Sequence, residues 1–419
     1  MPDTTHLLFE QSERVYPKLT KWYSMMRVAS NLFTKWDVTR VGERDFRVPS
    51  KTSTGARWGT YDPNFGSIGH GGYMDGAVMT ETFFPYSMRF EIPQLGQLAT
   101  ASNETAVKNA FKEAVADGIP EFAKNNDKIW HISDGTPALG YATAVTTVSG
   151  NTVYTLDSTF SVKLLVRGQF VSPYTTGFAS QYAGGPYKVN SINFNNKQVT
   201  LQGTVPSAAA TDILCMEGVS GASPVGPYGL KYFNNTATSG TTLGVDRTQE
   251  PEIQANGVDC TAGLTHQLGL LLIHKILDRR GDMTDGLVGF MSQNVQYTLA
   301  GQIMNIQRID LNSGANDMKD LLPGFVLKQK FAGVQCLIDP YQDQTRIDFI
   351  NKSKWGWARL SDMQWFSPPG SNERFLPLYG SDGSPAAGVW FGLTLNQNSF
   401  CCDPGAEGLL YNIPVNSGY

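Results

Sequence analysis

The sequence predicts an α+β protein with an all-β domain inserted in its middle, and three observations carry that prediction. Apolar and polar residues alternate with period two near both ends of the chain. Apolar residues fall at helical spacing in three longer segments. Between Tyr141 and Gly218 the sequence breaks into short strand-like runs separated by turn residues. At 419 residues the chain is long enough for two to four folding units of roughly 100–200 residues each.

The first stretch, Met1 to about Trp36, mixes polar and aromatic residues and reads as an arm with one or two short helices. "RDFRVPS", Arg44 to Ser50, sets Phe46 and Val48 against Asp45 and Arg47, which is a strand pattern; "SMRFEIP", Ser87 to Pro93, repeats it with Met88, Phe90 and Ile92. Between them runs "KTSTGARWGTYDPNFGSIGHGG", with glycine at 55, 59, 66, 69, 71 and 72. Two alternating strands joined by such a stretch predict an extended hairpin. Long loops are functional or disordered, and disordered ones hold few aromatics. Trp58, Tyr61, Phe65, Ile68 and Tyr73 in this tip therefore predict a loop ordered by contact with something outside its own domain.

Ser102 or Asn103 can cap a helix with Glu104 in its first turn. Val107, Phe111, Ala114, Val115, Ile119 and Phe122 then share one face, and Pro120 is expected to kink or end it. In the β-rich middle, "TAVTTVSGNTVYTL" reads as strand, turn, strand; "FSVKLLVRGQFVSPY" as a strand pair or a bent strand; "YKVNSINFNNKQVTLQGTVP" as a hairpin turning at Asn195-Asn196. Val219 to about Asp259 is rich in Gly, Ser and Thr and reads as a long loop. "TAGLTHQLGLLLIHKILDRRG" predicts a helix with Thr261 as N-cap, Arg279 and Arg280 in the last turn, and Gly281 as the stop. Ser292 to Ile309 predicts another, with Val295, Leu299, Ile303 and Ile306 in phase. From Phe325 onward the pattern returns to strands.

Apolar residues make up 41% of the chain, enough for a sizeable core, whereas charged residues reach only 17% against about 25% in an average soluble domain. Low charge fits a surface covered by partners, and equally a β-protein rich in Gly, Asn and Thr. No window approaches the roughly 18 apolar residues that a membrane helix needs. A formal net charge of −4 argues against a direct grip on nucleic acid. The N-terminus shows no basic region followed by an apolar one, so no signal peptide is expected. The five cysteines, at 215, 260, 336, 401 and 402, are odd in number and scattered. They predict reduced thiols in a cytosol-made protein.

No catalytic constellation emerges, so no enzyme activity, cofactor or metal is expected. Phosphate loop, zinc-helix, nucleophile-elbow and dinucleotide motifs are all missing. His266 and His274 lie eight apart on one expected helix with no acidic or thiol ligand spaced with them, which favours a structural role. A Cys260–His266 pair would have to be argued from proximity in space. Asp339, Asp343 and Asp348 can be pictured as a carboxylate set for glycoside hydrolysis, but such residues between strands are more often turn formers. Asn-x-Thr occurs at Asn103 and Asn234 and, with no secretion signal, is read as chance.

Taken in order, three segments resemble the major capsid protein of a tailed double-stranded-DNA bacteriophage. The stretch from "RDFRVPS" through the glycine-rich tip to "MTETFFPYSMRFEIPQLGQLAT" resembles the extended loop, or E-loop, of such a protein. "NETAVKNAFKEAVADGIPEFAKNNDKIWHISDG" resembles the spine helix of its peripheral (P) domain. "GFVLKQKFAGVQCLIDPYQDQTRIDFINKSKWGWARL" is similar to its late strand pair. The resemblance implies the Hong Kong-type phage capsid fold. Its parts would be an N-terminal arm over 1–36, the E-loop over 37–84, a P-domain over 85–140 and an inserted β-barrel or sandwich over 141–218. An axial (A) domain would follow over 219–324, and the return strands with the C-terminal segment over 325–419.

In that family the E-loop reaches over a neighbouring subunit, which would explain a glycine-rich tip with scattered aromatic anchors. Lys51, Arg57, Trp58, Tyr61, Phe65, Ile68 and Tyr73 are then expected at the inter-subunit interface. Some relatives cross-link an E-loop lysine to a neighbour's asparagine; Lys51 is the one lysine in this loop, and nothing around it marks a catalytic carboxylate. The resemblance further implies a homo-oligomer of pentamers and hexamers in an icosahedral lattice. It would enclose double-stranded DNA without sequence-specific binding, make no membrane contact, and work with a separate scaffolding protein, a portal and decoration proteins. Such a shell is assembled in the host cytoplasm and found in the virion. Two other readings are an encapsulin-like compartment shell and a β-sandwich glycan-binding or tail protein, the latter on the strength of 8 Trp and 17 Tyr.

Overall fold

The computed structural model describes residues 32–35, 39–40, 45–53, 75–93, 104–219, 221–222, 224–280, 286–307, 328–368, 373–379 and 385–415. The chain divides into two units. The first holds the described residues within 1–36, 83–127 and 357–398; the second holds those within 37–82, 128–356 and 399–419.

The first unit is a helix on a twisted antiparallel sheet. Strand Phe84–Pro93 pairs antiparallel with the long strand Pro385–Cys401, which also carries Leu376–Tyr379 and Trp355–Trp365 in the same sheet. Helix α1, Glu104–Ile132, supplies Ile119, Phe122 and Ala123 to a core completed by Met363, Trp365, Phe375, Phe391, Leu393 and Leu395. Phe90 stacks on Phe391 with centroids 4.9 Å apart. Pro120 neither ends the helix nor stands at its start; α1 runs on to Ile132. The helix does not end there because Ile119 before Pro120 and Phe122 and Ala123 after it are buried in that core, and tertiary contact outweighs local propensity. The expected caps, Ser102 and Asn103, lie outside the described residues.

The second unit contains two β structures. Its six-stranded sheet runs, in spatial order, Asn256–Asp259, Gly408–Tyr411, Ile347–Asn351, Leu287–Met291, Val334–Ile338 and Lys328–Phe331. It is mixed, with parallel pairs at 256–259 with 408–411 and at 287–291 with 334–338. Two helices, α2 over His266–Arg280 and α3 over Gln293–Gln307, contribute Leu272, Ile273, Ile276, Val295 and Leu299 to a core against Leu287, Met291, Ile347 and Phe349. Side chains alternate along a strand, so Phe290 points to the opposite face. There it meets Trp130 and His131 from the last turns of α1.

The second β structure is a closed barrel of six strands. They are Ala138–Val148, Asn151–Leu156, Phe170–Tyr174, Tyr187–Asn193, Gln198–Leu201 and Ile213–Met216. Tyr154, Leu156, Val171, Val189, Val199, Leu201 and Leu214 fill it. The first hairpin turns through Ser149 and Gly150, both at positive φ, the geometry that matches strand twist in a two-residue loop. Asp212 is fully buried and accepts from the Tyr154 and Tyr182 hydroxyls, each at 2.8 Å. Burial, with that carboxylate adding, pushes the Tyr182 phenol up to about 12.

Three sequence expectations are corrected here. "FSVKLLVRGQFVSPY" is not a strand pair: Thr159–Leu164 is a helical turn, because Ser158 caps it by accepting from Ser161 N, and only Phe170–Tyr174 is strand. Thr261 does not cap α2. It is bound back to Asp259, and Thr265 accepts from Leu268 N instead. Residues 219–259 are not one long loop. They include a helical turn Leu230–Phe233, a two-stranded ladder Thr241–Thr242 with Val245–Asp246, and strand Asn256–Asp259, with Leu230, Phe233 and Ile253 buried.

Candidate functional site

The hairpin that the sequence singled out is present as strands Asp45–Ser53 and Asp75–Thr82, antiparallel from Asp45↔Thr82 to Ser53↔Asp75. Its two faces differ in character. Phe46, Val48, Ser50, Met79 and Glu81 are buried on one, whereas Arg47, Val78, Thr80 and Thr82 are not. The hairpin is held at two points, the second of them braced in turn by Tyr232. Phe46 meets Phe400 edge-on at 6.1 Å, Thr80 N donates to the Leu243 carbonyl at 3.3 Å, and Leu243 N donates to the Tyr232 hydroxyl at 2.8 Å. The hairpin is thus anchored along one largely apolar face.

Of the expected interface residues, Lys51 is in the first hairpin strand, opposite Gly76. Arg57, Trp58, Tyr61, Phe65, Ile68 and Tyr73 lie outside the described residues. Phe46, Val48 and Met79 carry the base and were legible from alternation. Glu81 was not, because an acidic residue inside "MTETFF" reads as solvent-facing.

The polar groups that suggested chemistry serve the scaffold of the second unit. Asp348 is fully buried, is clasped by the Arg346 guanidinium, and accepts from Asn234 Nδ2 and Gln342 Nε2. With its amide so oriented, Gln342 presents Oε1 to His131 Nδ1 at 3.0 Å, while His131 Nε2 meets Asp339 Oδ2 at 3.0 Å. Two acceptors at the two ring nitrogens are satisfied by an imidazolium. Burial raises the Asp339 carboxyl. The His131 charge and hydrogen bond and the Tyr341 amide outweigh it, holding Asp339 below its ordinary value. Asp343 is likewise held low, against burial, by Lys231 at 3.1 Å and by Thr345. Asp339 and Asp343 also cap turns, at Tyr341 and Thr345, as the sequence suggested, but Asp348 sits in a strand. Asn234 is buried and bonded to Asp348, which leaves no glycan acceptor there.

The histidines on α2 do not form a site. His266 and His274 are both exposed, and the His266 ring stands edge-on to Phe331 at 5.5 Å. All five thiols are free; four are buried, and burial pushes Cys215 and Cys336 up to about 12. A polar cleft of about 490 Å³ opens on the barrel between Arg167, Lys188, Asn190 and Gln202. Its lining is cationic and amide-rich, with no carboxylate, thiol, hydroxyl or imidazole. Among the described residues no helix is long and apolar enough to cross a membrane.

The chain is similar to the protein in the structure of the Cyanophage A-1(L) capsid asymmetric unit. The identity is 11%, the match covers 92% of this chain and 91% of that one, and the TM-score is 0.52. Weaker matches include the capsid of an empty GTA particle, at 11% identity, 92% and 89% coverage and TM-score 0.42. Another is Mycobacterium phage Ogopogo, at 10% identity, 92% and 91% coverage and TM-score 0.41. No protein-family model and no curated protein matches the sequence. The fold is that of a phage capsid protein, α+β as the sequence predicts, and the likeness to the cyanophage chain carries that conclusion.

Proposed function

We propose that the chain is the major capsid protein of a tailed bacteriophage, assembling into pentamers and hexamers of an icosahedral head shell around double-stranded DNA. The observation that carries this reading is the extent of the likeness to the cyanophage capsid chain. It takes in more than nine-tenths of both chains, so the whole protein, not one module of it, follows the shell pattern. In this reading 37–84 is the E-loop and α1 is the spine of a P-domain completed by the late strands. The A-domain spans 219–324 with α2 and α3, and the barrel is an insertion. Lys51, Arg57, Trp58, Tyr61, Phe65, Ile68 and Tyr73 are interface residues that dock on a neighbouring copy. A scaffolding protein, a portal and decoration proteins are its further partners, and the virion is where it resides. No catalytic role is assigned to any residue.

Expression of the full chain, followed by negative-stain electron microscopy and analytical ultracentrifugation, tests the proposal. Closed shells, or rings of five and six, are the expected products. A monomer that stays monomeric when co-expressed with the scaffolding protein of its own gene cluster would overturn it.

A further inference from the structure

Glu81 is a carboxylate in the wrong place for one. It is 1% exposed, it shares the buried face of the hairpin with Phe46, Val48 and Met79, and neither of its oxygens has a hydrogen-bond partner among the described residues. A buried carboxylate without a partner is far costlier than the neutral acid, so such a group responds by holding its proton. Burial accordingly pushes Glu81 well above the ordinary carboxylate range. Among the described residues, the titratable groups facing it are the phenols of Tyr228 and Tyr232. Both are themselves raised, chiefly by burial, with Glu81 adding to it. Neither can supply a positive charge. Arg247 faces Tyr232 and gives its Nε to Thr242. Glu81 is also one residue from Thr80, whose amide ties the hairpin to Leu243, so its protonation state acts where the arm is fastened.

We propose that Glu81 is a proton-operated latch: the hairpin seats against Phe400, Leu243, Tyr228 and Tyr232 only with Glu81 as the neutral acid, and ionisation of Glu81 lets the arm lift. Seating takes up one proton from solvent, and lifting returns it. The seated form is fully favoured below the ordinary glutamate value of about 4.3. It weakens as pH rises from there to the value Glu81 has when seated. One proton is linked to the step, so the opening equilibrium rises about tenfold per pH unit across that window. The inference concerns the isolated chain and holds whether or not the chain forms a shell.

Amide hydrogen exchange of the full chain tests it, read on peptides from Asp75–Thr82 and, as an internal reference, from α2, between about pH 5 and about pH 9. The ratio of hairpin to helix exchange cancels the intrinsic base catalysis common to both. In the wild type this ratio is expected to climb by up to about tenfold per pH unit, and in Glu81→Gln and Glu81→Met to stay flat. A flat ratio in the wild type overturns the latch, with no variant needed. A climb of the same slope in either folded variant overturns it as well, because the proton then belongs to another group.

Discussion

Trp130 and Trp355 meet edge to face, with centroids 5.4 Å apart and ring planes at 76°, and thereby tie the last turns of α1 to the start of strand Trp355–Trp365. Phe233 meets Trp355 in the same manner at 5.4 Å, so one aromatic cluster seals the face of the six-stranded sheet that α2 and α3 do not cover. Burial pushes the Glu407 carboxyl well above its ordinary value, and the Trp355 indole is among the groups that oppose that rise. Trp355→Ala removes the ring from this cluster. It is expected to cost about 3–5 kcal/mol, read as a lower midpoint in denaturant unfolding followed by far-ultraviolet circular dichroism. A loss under about 1 kcal/mol would show that the cluster closes over the gap.

Asp339 and Asp343 set the acid limit of the second unit. Both carboxyls lie below their ordinary values when folded. Their contribution is therefore present above the ordinary carboxylate value and disappears as pH falls through the depressed folded values. Denaturation midpoints measured on descending pH should drop across that acid window. Asp339→Asn, which strands the His131 charge, should lose roughly 3–5 kcal/mol at neutral pH and show a shallower acid decline. An unchanged slope would place the acid sensitivity elsewhere.

Gly118, on α1, has no room for a side chain. A Cβ there would overlap the Phe90 ring, which is itself fixed by stacking on Phe391. Gly118→Ala gains helix propensity of about 1 kcal/mol yet forces that stack to move, at a typical overpacking cost of about 1–3 kcal/mol. The expected balance is a modest destabilisation in thermal unfolding. A stabilised variant would mean that Phe90 swings away freely.

Thiol chemistry should report folding. Cys260 and Cys402 are pushed up to about 11 and Cys215 and Cys336 to about 12, in every case first by burial. At pH 8 the thiolate fraction is then on the order of one in a thousand or less. Alkylation by iodoacetamide should be slow in the native chain and complete at all five cysteines in denaturant, counted by intact mass. Rapid labelling of any one in the native chain would identify a locally open segment.

The tip of the hairpin is the place to separate folding from assembly. Replacing Trp58, Tyr61 and Phe65 together by Ser should leave the thermal transition of the chain unchanged while shells fail to form. Normal shells from that variant would remove the tip from the interface.

Much of this was legible in the sequence for a physical reason: where one face is buried, the period of apolar residues is the structure. Phe46 and Val48 announced their strand, Ile119 and Phe122 their helix, and Val295 and Leu299 theirs. What period alone could not give was where it stops. Ser158 begins a helical turn by accepting one backbone hydrogen bond, and nothing in "TFSVKL" distinguishes that turn from the strand it resembles. Pro120 carries a local penalty that long-range packing overrides. His131, Asp339, Gln342 and Asp348 were scattered over more than two hundred positions, and only the six-stranded sheet gathers Asp348 and the turn before it beneath the end of α1. Glu81 had no signature at all, since polarity in sequence is normally evidence of exposure.

The barrel's first and last strands are neighbours: Ala138 is the cross-strand partner of Cys215, and Tyr141 that of Ile213. The chain thus departs from the barrel beside the point at which it came in. To the rest of the molecule the whole excursion is a detour with a fixed, narrow doorway, and its length is immaterial. Such a module can be shortened, enlarged or exchanged for a foreign one in a single genetic event, with the doorway strands as the splice points. It can also diverge at its own pace while the six-stranded sheet and α1 stay under a different constraint.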